Sequence, residues 1–250
     1  MKCSAKLTTL DEIRPWRDLY RQEMNCQIIH DSIHPRPGWT LEYVLNVGDV
    51  PVGYGSVAIS GPWKDKPTLY EIYVLPLYRS RLFDLFSALL TESGVKRIET
   101  QSNDPLLTTM LHAFAGDVAS ESILFHDKLT TALKPAGASF RLAVAADGLD
   151  INANQLSSHG VVEFDGTVAA KGGILFHYNR PYGDIYMEVA EPFRQRGLGS
   201  YLVQELKRIC YEQGNIPSAR CNVQNIPSRK TLQEAGFVPC GHILTGSVSR

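Results

Sequence analysis

The chain repeats itself. Asn103-Asp104-Pro105, followed by Thr109-Met110 and Ala113, returns 122 residues later at the same spacing as Asn225-Ile226-Pro227, Thr231-Leu232 and Ala235. Upstream, Tyr78-Arg79-Ser80-Arg81 returns after 115 residues as Phe193-Arg194-Gln195-Arg196, and Glu71-Ile72-Tyr73 after 113 residues as Asp184-Ile185-Tyr186. Three blocks in one order, with an offset that drifts as small insertions make it drift, describe two copies of one supersecondary unit. The turn-forming run Lys134-Pro135-Ala136-Gly137 marks the join. The expected domains are therefore 1–134 and 135–250.

Composition removes several function classes. Across 250 residues, 25 Lys and Arg stand against 26 Asp and Glu, which supplies no chain-wide basic field for non-specific nucleic-acid binding. No run approaches the roughly 20 apolar residues that span a bilayer, and Met1 to Leu10 lacks the apolar centre of a signal peptide. A cytoplasmic protein is expected, with neither nucleic acid nor membrane as partner. Cys3, Cys26, Cys210, Cys221 and Cys240 are scattered and form no Cys-x-x-Cys pair, so they read as buried small side chains rather than a disulfide framework or zinc site. His30 and His34 have a helical metal-ligand spacing, but Pro35 and Pro37 follow at once and make the segment a loop. No metal is expected.

The second copy shows the order of elements most clearly. Phe140 to Ala145 alternates as a strand does, and Val161 to Phe164 with Val168 to Tyr178 reads as a hairpin turned at Asp165-Gly166. Asp184 to Ala190 is a further strand. Leu198, Tyr201, Leu202, Leu206 and Ile209 recur at helical spacing, which predicts a helix over Gly197 to Tyr211. A strand at Ala219 to Val223, a helix from Pro227 to Ala235 between Asn225 and Gly236, and a last strand at Phe237 to Leu244 complete the copy. The first copy adds an N-terminal helix opened by Thr9 and Glu12 as a capping box and carrying Trp16, Leu19 and Tyr20. In the second copy only Leu149 to Ser158 stands in the corresponding place, too short for two helices with their connections.

The segment with the most chemistry is Arg194-Gln195-Arg196-Gly197-Leu198-Gly199-Ser200, between a strand and a long helix. Two glycines let the backbone approach an anion, and the unpaired N–H groups of the helix start point at it together with the positive end of the helix dipole. A phosphate is the fitting ligand. A nucleotide-triphosphate loop would need Lys-Ser or Lys-Thr after its last glycine, and a dinucleotide fingerprint would need a small residue at Leu202; neither is present.

Arg194-x-x-Gly197-x-Gly199 after a strand, followed by Asn225, Ser228, Leu232, Ala235, Gly236 and Phe237, resembles the acyl-CoA site of the GNAT-type N-acetyltransferase superfamily over roughly Val168 to Leu244. The resemblance implies an α/β (α+β) fold: two mixed, mostly antiparallel splayed sheets flanked by helices, with acetyl-CoA as cosubstrate in the splay of the second. By matching positions, the backbone amides of Arg196, Gly197, Leu198, Gly199 and Ser200 would hold the CoA pyrophosphate, with Arg194 and Gln195 also among the cofactor-binding residues. Met187 to Val189 would pair with the pantetheine amides, and Asn225, with Ser228 behind it, would bind the pantetheine arm. The first copy resembles a degenerate version. Its loop reads Arg79-Ser80-Arg81-Leu82-Phe83-Asp84, with no glycine and with an acid where a phosphate would lie. It is expected to bind no CoA and to supply lid helices or a homodimer surface instead.

Amine acetylation needs a neutral nucleophile and a proton for the departing thiolate. Asp184 stands where some members of the superfamily carry a catalytic carboxylate and is the leading base, directly or through a water; Glu188, on the same face of the strand, is the reserve. The tyrosine that relatives place seven residues after the asparagine is Leu232 here. Cys221, Ser228, Tyr186 and a water remain as sources of the proton. The expected function is acetyl-CoA-dependent N-acetyl transfer to a primary amine of a small molecule. The alternatives are acetylation of protein N-termini or lysines, and a non-catalytic module that senses acyl-CoA. His34-Pro35-Arg36-Pro37-Gly38-Trp39 reads as a connecting loop before it reads as an acceptor-binding one.

Overall fold

The computed structural model describes residues 1–28, 31–148 and 158–249. In chain order the elements are β1 (Cys3–Thr8), α1 (Leu10–Met24), β2 (Thr40–Val47), β3 (Val50–Ala58), β4 (Thr68–Val74), α2 (Leu82–Ser93), β5 (Arg97–Gln101), α3 (Pro105–Phe114), β6 (Ala115–Asp127), β7 (Ala138–Leu142), β8 (Ser158–Phe164), β9 (Thr167–Leu175), β10 (Tyr182–Val189), α4 (Leu198–Glu212), β11 (Ile216–Asn222), α5 (Ile226–Glu234) and β12 (Phe237–Val248). They fall into two compact units, Met1–Glu121 with His242–Arg250, and Ser122–Gly241. These bounds do not follow the join at residue 134. β6 and β12 run for 13 and 12 residues, long enough for each to end in a different unit from the one in which it begins. His30, and Leu149 to Ser157 of the short segment noted above, lie outside the described residues.

The first unit has the strand order β1-β2-β3-β4-β5-β12. Neighbours are antiparallel except β4 and β5, which pair in parallel only at Thr68–Arg97 and Leu69–Ile98. Its core gathers Leu45, Tyr54, Ile72, Phe86 and Leu89. At the start of α1, Thr9 Oγ1 accepts the Glu12 N–H at 3.4 Å, while the Glu12 carboxylate takes the Thr8 hydroxyl, so the cap is half the box expected. His34 is buried, with Nδ1 2.8 Å from Glu42 and Nε2 3.3 Å from Glu71, and Trp39 packs on the cluster of Ile33, Ala58 and Tyr70. The segment is a packed connection.

The second unit has the order β6-β11-β10-β9-β8-β7, with β10 and β11 its parallel pair. The β8–β9 hairpin turns at Asp165 and Gly166, with φ of 48° and 78°, the mirror-image turn whose twist matches the strands. Strand ends differ from the sequence reading. β9 stops at Leu175 and β7 at Leu142, where Arg141 turns to Asp147 (2.8 Å) and Glu163 (2.8 Å). Leu198, Leu202, Leu206 and Ile209 of α4 lie against Val162, Ala170 and Ile185, which buries one face of the sheet.

Candidate functional site

The parallel ladder of the second unit is short. β10 and β11 pair at Tyr182–Ile216, Gly183–Pro217 and Asp184–Ser218, and no further. β10 nevertheless runs on to Val189, held on its other side by β9. Beyond Asp184 the two strands therefore part, and the backbone edge of β10 facing β11 carries polar groups without ladder partners. Side chains alternate along this stretch: Ile185 lies in the core beneath α4, with Met187 and Val189 packed against it, so Asp184, Tyr186 and Glu188 take the opposite face.

At the end of β10 the chain makes one helical turn, Glu191–Phe193, and enters the glycine loop. Gln195 and Gly197 both have left-handed backbones, φ 63° and 73°. For glutamine this conformation costs energy that a well-fixed loop must offset. Arg194 Nε donates to the Val189 carbonyl at 3.2 Å, tying the loop to the strand. Gly197 caps α4, and the first bond back to it comes from Tyr201 N–H at 3.0 Å, so the Leu198, Gly199 and Ser200 N–H groups lie ahead of the helical ladder. Alternating left-handed residues followed by free helix N–H groups form a concavity suited to an anion. A Cβ on Gly199 would stand 3.1 Å from both Val189 and Thr231; the glycine lets α4 and α5 approach.

Asn225 is the N-cap of α5, its Oδ1 accepting the Ser228 N–H at 3.0 Å. That use of the oxygen leaves its amide N–H groups for another acceptor. Met187, Glu188, Val189, Arg194, Gln195, Gly197, Leu198, Gly199, Ser200, Asn225 and Ser228 all line one cavity of about 940 Å³. The sequence reading missed Phe193, Ile226, Pro227, Lys230, Thr231 and Glu234, which line it too. The signal was available: Ile226, Lys230 and Glu234 stand at i, i+4 and i+8 on the helix that Asn225 caps. Glu234 accepts the Ser200 hydroxyl at 2.9 Å.

Two expected residues stand apart from this lining. The Arg196 guanidinium sits 5.1 Å over the Phe164 ring. Asp184, at the last rung before the strands part, is buried, with Oδ2 3.5 Å from both His177 Nε2 and Arg220 Nε. Among the other groups named for proton transfer, Tyr186 is partly exposed with its hydroxyl 2.9 Å from His159 Nδ1, and burial pushes its phenol up. Burial also pushes the Cys221 thiol up, against the pull of Arg229 and Ser228, and Cys221 lies in the core. Leu232 is a core residue.

The matching region of the first unit is closed by its own chain. β4 and β5 part after Leu69–Ile98, and Ile28 N–H there donates to Gln101 Oε1 at 3.2 Å while Gln101 Nε2 returns a bond to the Ile28 carbonyl. Asn103, the counterpart of Asn225, donates to Gln27 at 3.2 Å. Tyr20 of α1 bonds Asp104 at 2.8 Å. Arg79 repeats the anchor of Arg194, with Nε on the Val74 carbonyl at 3.0 Å, but its guanidinium is taken by Glu23. The loop from Pro76 to Arg81 is a 3₁₀ turn, and none of its residues is left-handed.

Residues 132–237 match the family model described as acetyltransferase (GNAT) family. Among solved structures, the chain is similar to a GNAT-family acetyltransferase from Colwellia psychrerythraea (TM-score 0.73, 15% identity, 98% of this chain and 100% of that one). It is also similar to a tandem GNAT protein from the clavulanic acid biosynthesis pathway (TM-score 0.62, 16% identity, 100% and 99%). A third is a GCN5-related N-acetyltransferase from Sphaerobacter thermophilus (TM-score 0.63, 13% identity, 99% and 96%). At these identities the likeness is one of fold. None of the curated proteins matches the sequence.

Proposed function

The chain carries a GNAT-family acetyltransferase domain over residues 132–237, and from that premise we propose that its second unit is an acetyl-CoA-dependent N-acetyltransferase acting on the primary amine of a small molecule. One observation supports this above the others: the open edge of β10, the left-handed loop and the Asn225 cap, far apart in sequence, line a single cavity. The donor set suits the cofactor. Backbone N–H groups at Leu198 to Ser200 answer a pyrophosphate, with Arg194 and Lys230 as flanking cations, and the unpaired edge at Met187 to Val189 answers an amide chain as a strand would. Asn225 Nδ2 adds a donor to the same chain.

When bound, acetyl-CoA supplies an activated acetyl group. The work of the chain is to hold it and to neutralise the acceptor, which arrives as an ammonium ion. Asp184, where the strands part, takes that proton directly or through a water, and Glu188 is the second carboxylate on its face. With Leu232 in the core, no phenol stands at the usual place to protonate the thiolate. That absence favours the second reading, an acyl-CoA-binding module without turnover.

Titration with acetyl-CoA separates these readings from a relic. The wild type is expected to bind one molecule per chain, and Gly197→Glu, which puts a carboxylate and an unfavourable backbone into the anion cradle, to bind at least about 100-fold more weakly, roughly 2.8 kcal/mol. Acetyl-CoA incubated with an amine panel should then release free thiol. Binding without thiol release would leave the sensing module; no binding by a folded protein would remove both.

A further inference from the structure

Arg220 lies on β11 two residues past Ser218, which faces Asp184 in the last rung of the parallel ladder. It is therefore on the same face as Asp184 and on the open side of the fork. Its guanidinium carbon stands 4.8 Å over the Tyr178 ring, which fixes the plane of the group. Its approach to Asp184 is through Nε at 3.5 Å, beyond hydrogen-bond length, and its side chain is 35% exposed. A guanidinium has five N–H donors, and among the described residues none of those on Arg220 makes a hydrogen bond. His177 tells the same story from the other side. Its Nε2 is buried, has no hydrogen-bond partner, and stands 3.5 Å from the same Asp184 oxygen.

Buried polar groups are almost always closed by partners. Here a carboxylate, a guanidinium and an imidazole face one another at the fork without a hydrogen bond among them, and the cation keeps an exposed edge. We propose that the acceptor carries a carboxylate beside its amine, as an α-amino acid does, and that Arg220 selects it; this rests on the acetyltransferase reading of the same site. The ammonium group goes to Asp184, whose Oδ1 is the oxygen not facing the two nitrogens. The carboxylate goes to the terminal nitrogens of Arg220, the group best shaped for paired contact with a planar anion. Adjacent charges of opposite sign on the protein match adjacent charges of opposite sign on the acceptor, and an amine without an acid would leave the guanidinium unanswered.

The test uses matched acceptors: common α-amino acids, their carboxamides and the corresponding decarboxylated amines, each with acetyl-CoA and with free thiol as the readout. Wild-type kcat/KM is expected to favour the acids over the amides roughly 10- to 100-fold. Arg220→Gln should raise KM for the acids far more than for the amides, so that the preference is lost, and Arg220→Lys should keep part of it. Equal use of acids and amides by the wild type overturns the proposal. So does an Arg220→Gln variant that slows both alike, since that is the mark of a structural role. Because a protein without turnover would give no rates, the same compounds are also titrated into protein saturated with CoA. Amino-acid binding that Arg220→Gln removes supports the site even if no thiol is released, whereas no preference for the acids in binding overturns it.

Discussion

Asn103 and Asn225 hold the same place in the two copies, and the residues beside them decide what each does. In the second copy the asparagine is itself the helix cap and turns its amide outward. In the first, Asp104 takes over the cap, accepting Leu106 and Leu107 N–H at 3.0 and 3.1 Å, and Asn103 turns to Gln27. Burial raises the Asp104 carboxyl to about 6, against the pull of its two backbone bonds and the Tyr20 hydroxyl. A group whose folded value lies above its unfolded one, 3.8 here, contributes stability below that unfolded value and loses it as the pH climbs through the folded value. Thermal midpoints of the wild type should therefore fall between about pH 4 and 6 relative to those of Asp104→Asn, which cannot titrate; parallel curves would refute the assignment. Loop chemistry of this kind was legible in the sequence wherever a backbone needed glycine, as at Gly197. Gln195 was not legible as a left-handed residue, because a glutamine takes that conformation only when its surroundings impose it.

At the scale of elements, α4 is fastened through one buried cation. Lys207 Nζ lies 2.6 Å from Asp127, donates to the carbonyls of Ala235 (2.6 Å) and Leu129 (2.9 Å), and sits over the Phe237 ring. It thus ties the helix to the end of β6 and to the turn between α5 and β12. Lys207→Met would leave the Asp127 carboxylate buried with its cation removed and should cost about 3–5 kcal/mol in denaturant unfolding. Adding Asp127→Asn should recover part of that loss; a double variant no better than the single one would assign the cost to the carbonyl bonds instead. Helical spacing revealed α4 almost to the residue, since an amphipathic period is a local property, and the residues Asn225 and Gly236 bracketed α5 in the same way. Strand ends were harder. β7 stops where Arg141 meets Asp147, and β12 runs to Val248 because Ile243 to Ser247 pair with β5, partners that the local alternation of residues does not contain.

For the whole molecule, the repeat gave the number of units and their order of elements but not their composition. Similar blocks mark where one copy resembles the other, whereas membership of a sheet depends on pairing between residues more than a hundred positions apart, such as Ile243 with Gln101. The last nine residues belong to the first unit and residues 122–127 to the second. Removing His242–Arg250 should therefore expose the amides of β5, over a hundred positions away, to hydrogen exchange, while β10 and α4 keep their protection; unchanged exchange in Arg97 to Gln101 would contradict these bounds.

This composition also orders events during synthesis. The first unit leaves the ribosome first yet cannot be finished until the end of the chain follows, after the whole of Ser122–Gly241. At about 5–20 residues per second, that interval lasts roughly 6–24 seconds. Through it, the edge of β5 that β12 will cover stands open to any passing strand. The unit without the left-handed loop is thus the one whose strand edge waits uncovered while the rest of the chain is made.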